Sequence, residues 1–488
     1  MKTNLIDHLY FRAKAQPRAI AIQRLDGAIS YGQLLSLVRG IAYKLRQEGV
    51  APGQVVLTRL LDQQTEWLLT LAIMHEAAIS CSAHGATPPP SNLDPDVIIT
   101  GAPLSEAAAG RAKVIVIGGD WLNALPALST VFKARFYDGE ESVVRLMLTS
   151  GTTGQSQILG MSIRSLLLRC QNSTVLWNAG GRKLVMLPLS TLAGYVYAAS
   201  ESLRGGTFFC SKFAGVQALL DVFQIEYVFG SPMQLLGVSE QLGERLIRPD
   251  SLKMTIYMGG QVSPRLLDKI RLTMAPSVAC LYGATEVGAV ALYTLDLENS
   301  LSGEAGYVLP EARVEIVDER HQALGANREG VVRVRTPQMS SSYYADDEAT
   351  QRHFRDGWFY PGDRGWLRED GMLVLAGREK ELINRGGVKV DPALIDRQLL
   401  DYEEVQDAAA FGFENAMGME DVAVAVVLNQ EITVDSVRNG LVQALGLSYS
   451  PSAFVRVEAI PRNEMGKPLR AALRDEYAEK LRAYAGQT

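Results

Sequence analysis

Apolar residues recur at helical spacing through LLSLVRGIAYKLRQEGV (34–50), and Gly49 supplies a stop, so a helix is predicted there. EWLLTLAIMHEAAISC (66–81) is apolar almost throughout, broken only by His75 and Glu76 near its middle, and predicts a buried helix. Short β-rich runs follow at VIIT (97–100), KVIVIGG (113–119) and VVRLML (143–148). They alternate with helical patterns such as SPRLLDKIRLTM (263–274), which predicts an α/β core of largely buried strands. After about residue 300 the texture changes. RVEIVDE (313–319), GVVRVRT (330–336) and MLVLAGR (372–378) crowd together with turn residues between them, as in a small β-rich subdomain. Past residue 380 a helical pattern, the strand-like DVAVAVVL (421–428) and a charged terminal helix predict a separate α+β domain. The expected fold class is therefore α/β, with a large N-terminal domain of α/β sheets and a smaller C-terminal one.

Composition narrows the picture. A chain of 488 residues exceeds one typical core, and 47% apolar with 21% charged residues is ordinary for a globular protein. A net charge of -6 speaks against a nucleic-acid partner, which demands a basic face. No apolar run is long enough to predict a membrane span, and the first residues lack the apolar core of a secretory signal. Cys81, Cys170, Cys210 and Cys280 are far apart, so no zinc site is predicted, and such isolated cysteines suit a reducing cytoplasm.

The first candidate chemistry is TSGTTG, residues Thr149, Ser150, Gly151, Thr152, Thr153 and Gly154, directly after VVRLML. A buried strand would deliver this loop to a sheet edge, where α/β proteins bind ligands. Glycines let successive N–H groups turn toward an anion, and the hydroxyls add donors. The run does not match the Walker pattern, and alone it reads equally well as a polar turn.

Three further segments decide between these. LYGATEVG (281–288), GWFYPGDRGWLREDGMLVLAGREKELINRGGVKV (357–390) and PRNEMGKPLR (461–470) follow in order. With the loop, this set resembles the acyl-adenylate-forming superfamily of acyl-CoA synthetases, stand-alone adenylation domains and luciferase-like enzymes. The resemblance spans nearly the whole chain, and the 357–390 block is its most specific part. It implies a two-step reaction: a carboxylate attacks the α-phosphate of ATP to give acyl-AMP and pyrophosphate, and a thiol then displaces AMP. It also implies an N-terminal AMP-binding domain over 1–378 and a mobile C-terminal domain over 379–488, with a hinge at Lys380.

The resemblance assigns roles residue by residue. The 149–154 loop would hold the β- and γ-phosphates. Gly259, Gly260 and Gln261 would line the base pocket, with Tyr282, followed by Gly283, stacked on adenine. Thr285 would contact the α-phosphate, and Glu286 would help hold Mg²⁺, which prefers carboxylate oxygens. Asp363 would accept from the ribose diol, Arg378 would back ribose and phosphate, and Lys467 would bridge the acid and ATP oxygens. Gly386 and Gly387 would line the thiol tunnel.

Two departures stand out. Family loops continue Pro-Lys-Gly after the second glycine, whereas this chain has Gln157 at the lysine's place. In MLPLSTLAGYVY (186–197), Ser190 and Thr191 replace the usual aromatic and histidine, and Gly194 and Tyr195 complete the implied acyl-pocket wall. No acidic residue lies between Met186 and Ser200 to pair with a substrate ammonium. A small or medium acyl or cyclic acid is therefore expected. The acceptor thiol is expected to come from coenzyme A or the phosphopantetheine of a separate carrier protein. Transfer to an amine, or a non-catalytic nucleotide-binding role, remains open at this point.

Overall fold

The computed structural model describes residues 5–83, 92–125, 132–149, 157–173, 181–210, 215–243, 248–259, 262, 264–295, 304–378, 381–385, 388–415, 419–429, 434–463 and 466–484. The first sheet has six strands in the order Lys113–Val116, Val97–Thr100, Val55–Arg59, Ile79–Ser82, Val143–Thr149 and Gln157–Ser162. All neighbours are parallel except the last pair. The central strands Val55–Arg59 and Val97–Thr100 are buried on both faces, which suits their runs of consecutive apolar residues.

A second sheet runs through the rest of the large domain. Lys183–Val185, Tyr227–Gly230, Met254–Tyr257 and Ser277–Ala284 form its parallel half. Gly288–Leu295, Glu304–Val308, Met372–Arg378, Asp363–Leu367 and Gly330–Arg335 continue it antiparallel. The β-rich texture after residue 300 is thus the antiparallel half of this sheet. It has its own hydrophobic cluster around Val287, Val290, Ile316, Val332 and Leu373.

Expectation and structure differ at two helices. The helix predicted from residue 34 runs Tyr31–Gln47, because Ser30 and Gln33 close a capping box one turn earlier. The run 66–81 is not one helix. Asp62 caps a helix over Gln63–His75, Ala77 turns at φ 56°, and Ile79–Ser82 enters the first sheet. Both pieces are largely buried, and periodicity cannot separate a buried helix from a buried strand.

The smaller C-terminal domain has a three-stranded sheet of Val405–Glu414, Glu420–Leu428 and Ala453–Arg456. Val422, Val424 and Val426 face one core with the helix Pro392–Leu399, while Ala423 and Ala425 face another with the helix Arg470–Tyr484. Two covered faces explain the unbroken DVAVAVVL. Among the described residues, no helix is long and apolar enough to cross a membrane.

One buried ion pair ties the second sheet to the helix Leu192–Arg204: Lys183 Nζ lies 2.9 Å from Glu201 Oε1, with side chains 2% and 6% exposed. Burial raises the Glu201 carboxyl above its ordinary value even against the pull of Lys183. A carboxyl raised on folding favours the folded state at low pH, and that contribution is lost as pH rises through the folded value. Lys183→Met should cost about 3–5 kcal/mol. The loss should be larger at pH 8 than at pH 5, as urea unfolding at both pH values would read.

Candidate active site

The two halves of the second sheet bring the predicted nucleotide residues together. Asp363 and Arg378 are direct cross-strand partners, and Arg378 Nε lies 3.1 Å from Asp363 Oδ1. Tyr282 lies near the end of the parallel strand Ser277–Ala284, and its hydroxyl donates to the other oxygen, Asp363 Oδ2, at 2.5 Å. Burial and then Asp363 push the Tyr282 hydroxyl well above its ordinary range, so it stays a neutral donor. Burial acts to lower Arg378, but Asp363 and Glu381 outweigh it and leave the guanidinium firmly charged.

The strand containing Tyr282 turns back through Thr285 and Glu286. The turn requires Gly283, since a Cβ there would strike the Gly288 carbonyl. Glu286 is 7% exposed. Its Oε1 accepts from Tyr343 at 2.7 Å, and its carbonyl accepts from Arg169 Nη2 at 3.1 Å and Ser340 N at 2.9 Å. Burial lowers Arg169 to about 10 although Glu286 opposes it. Mg²⁺ carried by a nucleotide needs one or two protein carboxylates, and a Glu286 fixed through one oxygen fits that role.

Lys467 approaches from the smaller domain. Its N–H donates to Asn463 Oδ1 at 2.9 Å, Gly466 N donates to Asn463 O at 2.8 Å, and Gly466 takes φ 75°. This turn seats Gly466 against Ser231 and Met233 of the large domain. Lys467 Nζ donates to Glu381 Oε1. Burial lowers the ammonium, Arg378 lowers it further, and Glu381 opposes both. Arg378 also interacts electrostatically with Tyr282 and Glu286, so it links the sheet residues to Lys467.

Other expected positions fare differently. Thr149 ends its strand opposite Gln157 and donates to the Gln157 carbonyl at 3.3 Å. Ser150, Gly151, Thr152, Thr153, Gly154, Gly260, Gln261, Lys380, Gly386 and Gly387 lie outside the described residues. Gly259 follows the Met254–Tyr257 strand at φ 88°, a conformation suited to glycine. Gln157 Oε1 is buried without a hydrogen-bond partner among the described residues.

The expected acyl-wall residues are held by local packing. Thr191 caps the helix Leu192–Arg204, accepting from Gly194 N at 3.3 Å and donating to Pro188 O at 2.7 Å, so its hydroxyl is engaged locally. A Cβ at Gly194 would strike the Pro188 carbonyl. Ser190 is buried beside them. Tyr195 was expected to line the pocket, yet it has no exposed surface. Its ring packs edge-on to Trp67 and lies 4.6 Å from the Arg145 guanidinium.

Sequence reading missed Tyr343, Arg169 and Glu381. Glu381 stood in the quoted 357–390 block, but nothing in its spacing pointed to a partner 86 residues away. Tyr343 and Arg169 carried no local signal.

Known proteins resemble this chain over most of its length. A medium/long-chain-fatty-acid–[acyl-carrier-protein] ligase, FadD10 of Mycobacterium tuberculosis (strain CDC 1551 / Oshkosh), is 25% identical over 97% of this chain and 95% of its own. A 2-succinylbenzoate–CoA ligase of Bacillus velezensis is 28% identical over 69% of each chain. The crystal structure of ATP-bound MatB from Rhodopseudomonas palustris superimposes with a TM-score of 0.85 over 99% of this chain and 100% of that one, at 23% identity. A family model described as AMP-binding enzyme matches residues 9–344, and the chain belongs to that family.

Proposed function

We propose that this protein is an AMP-forming acid–thiol ligase. A carboxylate oxygen of a small or medium acid attacks the α-phosphorus of ATP, and the bond to pyrophosphate breaks. A thiol sulfur then attacks the acyl carbon, AMP leaves, and the thiol proton passes to solvent. The observation that carries the reading is the convergence of Tyr282, Asp363, Arg378, Glu286 and Lys467 around one charged centre.

Each residue has a task in the first step. Asp363, fixed by Tyr282 and Arg378, receives the ribose hydroxyls. Arg378 and Lys467 offset the repulsion between two anions, and preorganised charge of this kind is the main source of such rate acceleration. Mg²⁺ bound with ATP, and held at Glu286, would neutralise the phosphates. Thr285, next to it, would meet the α-phosphate. The 149–154 loop would cradle the outer phosphates.

The smaller domain, residues 379–488, would turn about Lys380 between the steps and bring Gly386 and Gly387 to the thiol. Coenzyme A or a carrier-protein phosphopantetheine is the acceptor, in keeping with the acceptors named for the two curated relatives. The acid lacks an α-ammonium. No carboxylate stands along 186–200, and the buried Arg145 cation donates to the Leu189 carbonyl behind that segment at 2.7 Å. ATP and such acceptors fit the cytoplasmic setting that the isolated cysteines suggest.

Pyrophosphate release with Mg·ATP and a panel of carboxylic acids tests the reading. Coenzyme A, a carrier protein and a thiol-free amine then serve as separate acceptor arms. No release with any acid, while calorimetry still detects ATP binding, would favour a non-catalytic nucleotide-binding role. Within the same assay, Gln157→Lys should lower the KM for ATP by roughly 3- to 10-fold, because a charged donor bonds phosphate about twice as strongly as a neutral one. The KM for the acid should not move. Unchanged ATP kinetics would count against a phosphate-facing position 157.

A further inference from the structure

Two guanidinium groups lie near Lys467. Arg378 at the end of the strand Met372–Arg378 and Arg470 at the start of the helix Arg470–Tyr484 both disfavour its ammonium. Arg470 is itself paired with Asp396 at 2.6 Å, and Arg378 with Asp363 at 3.1 Å. Asp391, raised by burial to about 6, faces Arg470 and Glu381. Glu381 is the anion that reaches Lys467 Nζ directly, and its second oxygen lies 3.7 Å from Arg470 Nε. Burial alone would raise the Glu381 carboxyl, but Lys467, Arg470 and Arg378 bring it below its ordinary value. The side chains of Lys467 and Glu381 are 26% and 16% exposed, so an incoming anion can reach the pair.

Resting on the adenylation reading above, we propose that Glu381 is a positioning residue for the first step. It is the resident counter-ion that holds the Lys467 ammonium until the acid's carboxylate and the ATP phosphate displace it. The chemistry favours exchange over permanent pairing. Two anionic oxygens from two substrates outcompete one carboxylate, whereas with no substrate bound an unpaired ammonium beside two guanidinium groups would hold its proton less tightly. Glu381 thus keeps the lysine in its active charge state without contacting substrate.

The test is the pH profile of acid-dependent ATP–pyrophosphate exchange in wild type, Glu381→Gln, Glu381→Asp, Lys467→Arg and the double variant Lys467→Arg/Glu381→Gln. Loss of Glu381 should move the alkaline limb of the Glu381→Gln profile to lower pH by about one unit, a roughly tenfold loss on that limb. Glu381→Asp should restore most of it. In the Lys467→Arg background the limb should stay put, because a guanidinium does not titrate there. An equal loss at every pH, or the same limb shift with Arg at 467, would overturn the proposal.

A second readout needs no substrate. The lysine signals of ¹³C-methylated protein, with Lys467 assigned by its absence from Lys467→Arg, should titrate lower in Glu381→Gln. An unchanged Lys467 titration would also overturn the proposal. Absence of exchange in wild type with every acid would instead sink the adenylation reading, which the NMR titration does not depend on.

Discussion

Lys467→Ala should lower acid-dependent pyrophosphate exchange about 100- to 1000-fold, the range seen when one preorganised donor to a developing charge is removed. The asymmetry between the two steps is the more telling result. Lys467 sits in a turn of the smaller domain, braced by Asn463 and seated on Ser231 and Met233. If that domain turns away after adenylation, thioester formation from supplied acyl-AMP should change by less than about threefold, since the lysine would then be out of reach. Equal loss of both steps would mean that Lys467 supports the fold or serves both states. The fold can be checked separately. The side chain is a quarter exposed.

Asp363→Asn should be nearly as damaging, and it should act through ATP. The carboxylate is 4% exposed and bonded on one side by Tyr282 and on the other by Arg378. Charged hydrogen bonds of this kind contribute about 1.5–3 kcal/mol each. Losing the charge should therefore reduce kcat/KM for ATP by about 100-fold or more, while the KM for the acid stays within a few-fold. Tyr282→Phe removes one of these bonds and should cost about tenfold. In the double variant the two losses should not add, because both act on one carboxylate. Additive losses would place Tyr282 and Asp363 in separate tasks.

The parts of the site that could be read in the sequence are those the chain keeps close together. Asp363 and Arg378 lie in one antiparallel pair of strands, so the 357–390 block contained both partners and their turn. The strand Met372–Arg378 has the bounds its apolar run predicted. Contacts closed by the fold could not be read this way. Tyr282 meets Asp363 across 81 residues, Tyr343 meets Glu286 across 57, and Glu381 meets Lys467 across 86. Each depends on how distant segments of one domain fold against each other, and side-chain spacing along the chain has no access to that. The acyl wall was legible only as a pattern. Thr191, Gly194 and Tyr195 stood at the right places in a pattern, but helix capping, a close backbone approach and core packing already occupy them. The misread run 66–81 shows the limit of periodicity where an element is buried on all sides.

The ion pairs have a mechanical consequence. Asp363 and Arg378 both precede the junction at 379–380, whereas Glu381 and Lys467 both follow it. If the smaller domain swings about that junction, both direct ion pairs would stay intact. Parting Arg378 from Glu381 would be offset by parting it from Lys467, so such a motion would work against little net Coulomb attraction. Its equilibrium would then depend weakly on ionic strength and strongly on whichever substrate anion bridges Arg378 to Lys467. That would make bound ATP, and the departure of its pyrophosphate on adenylation, the switch between the two states.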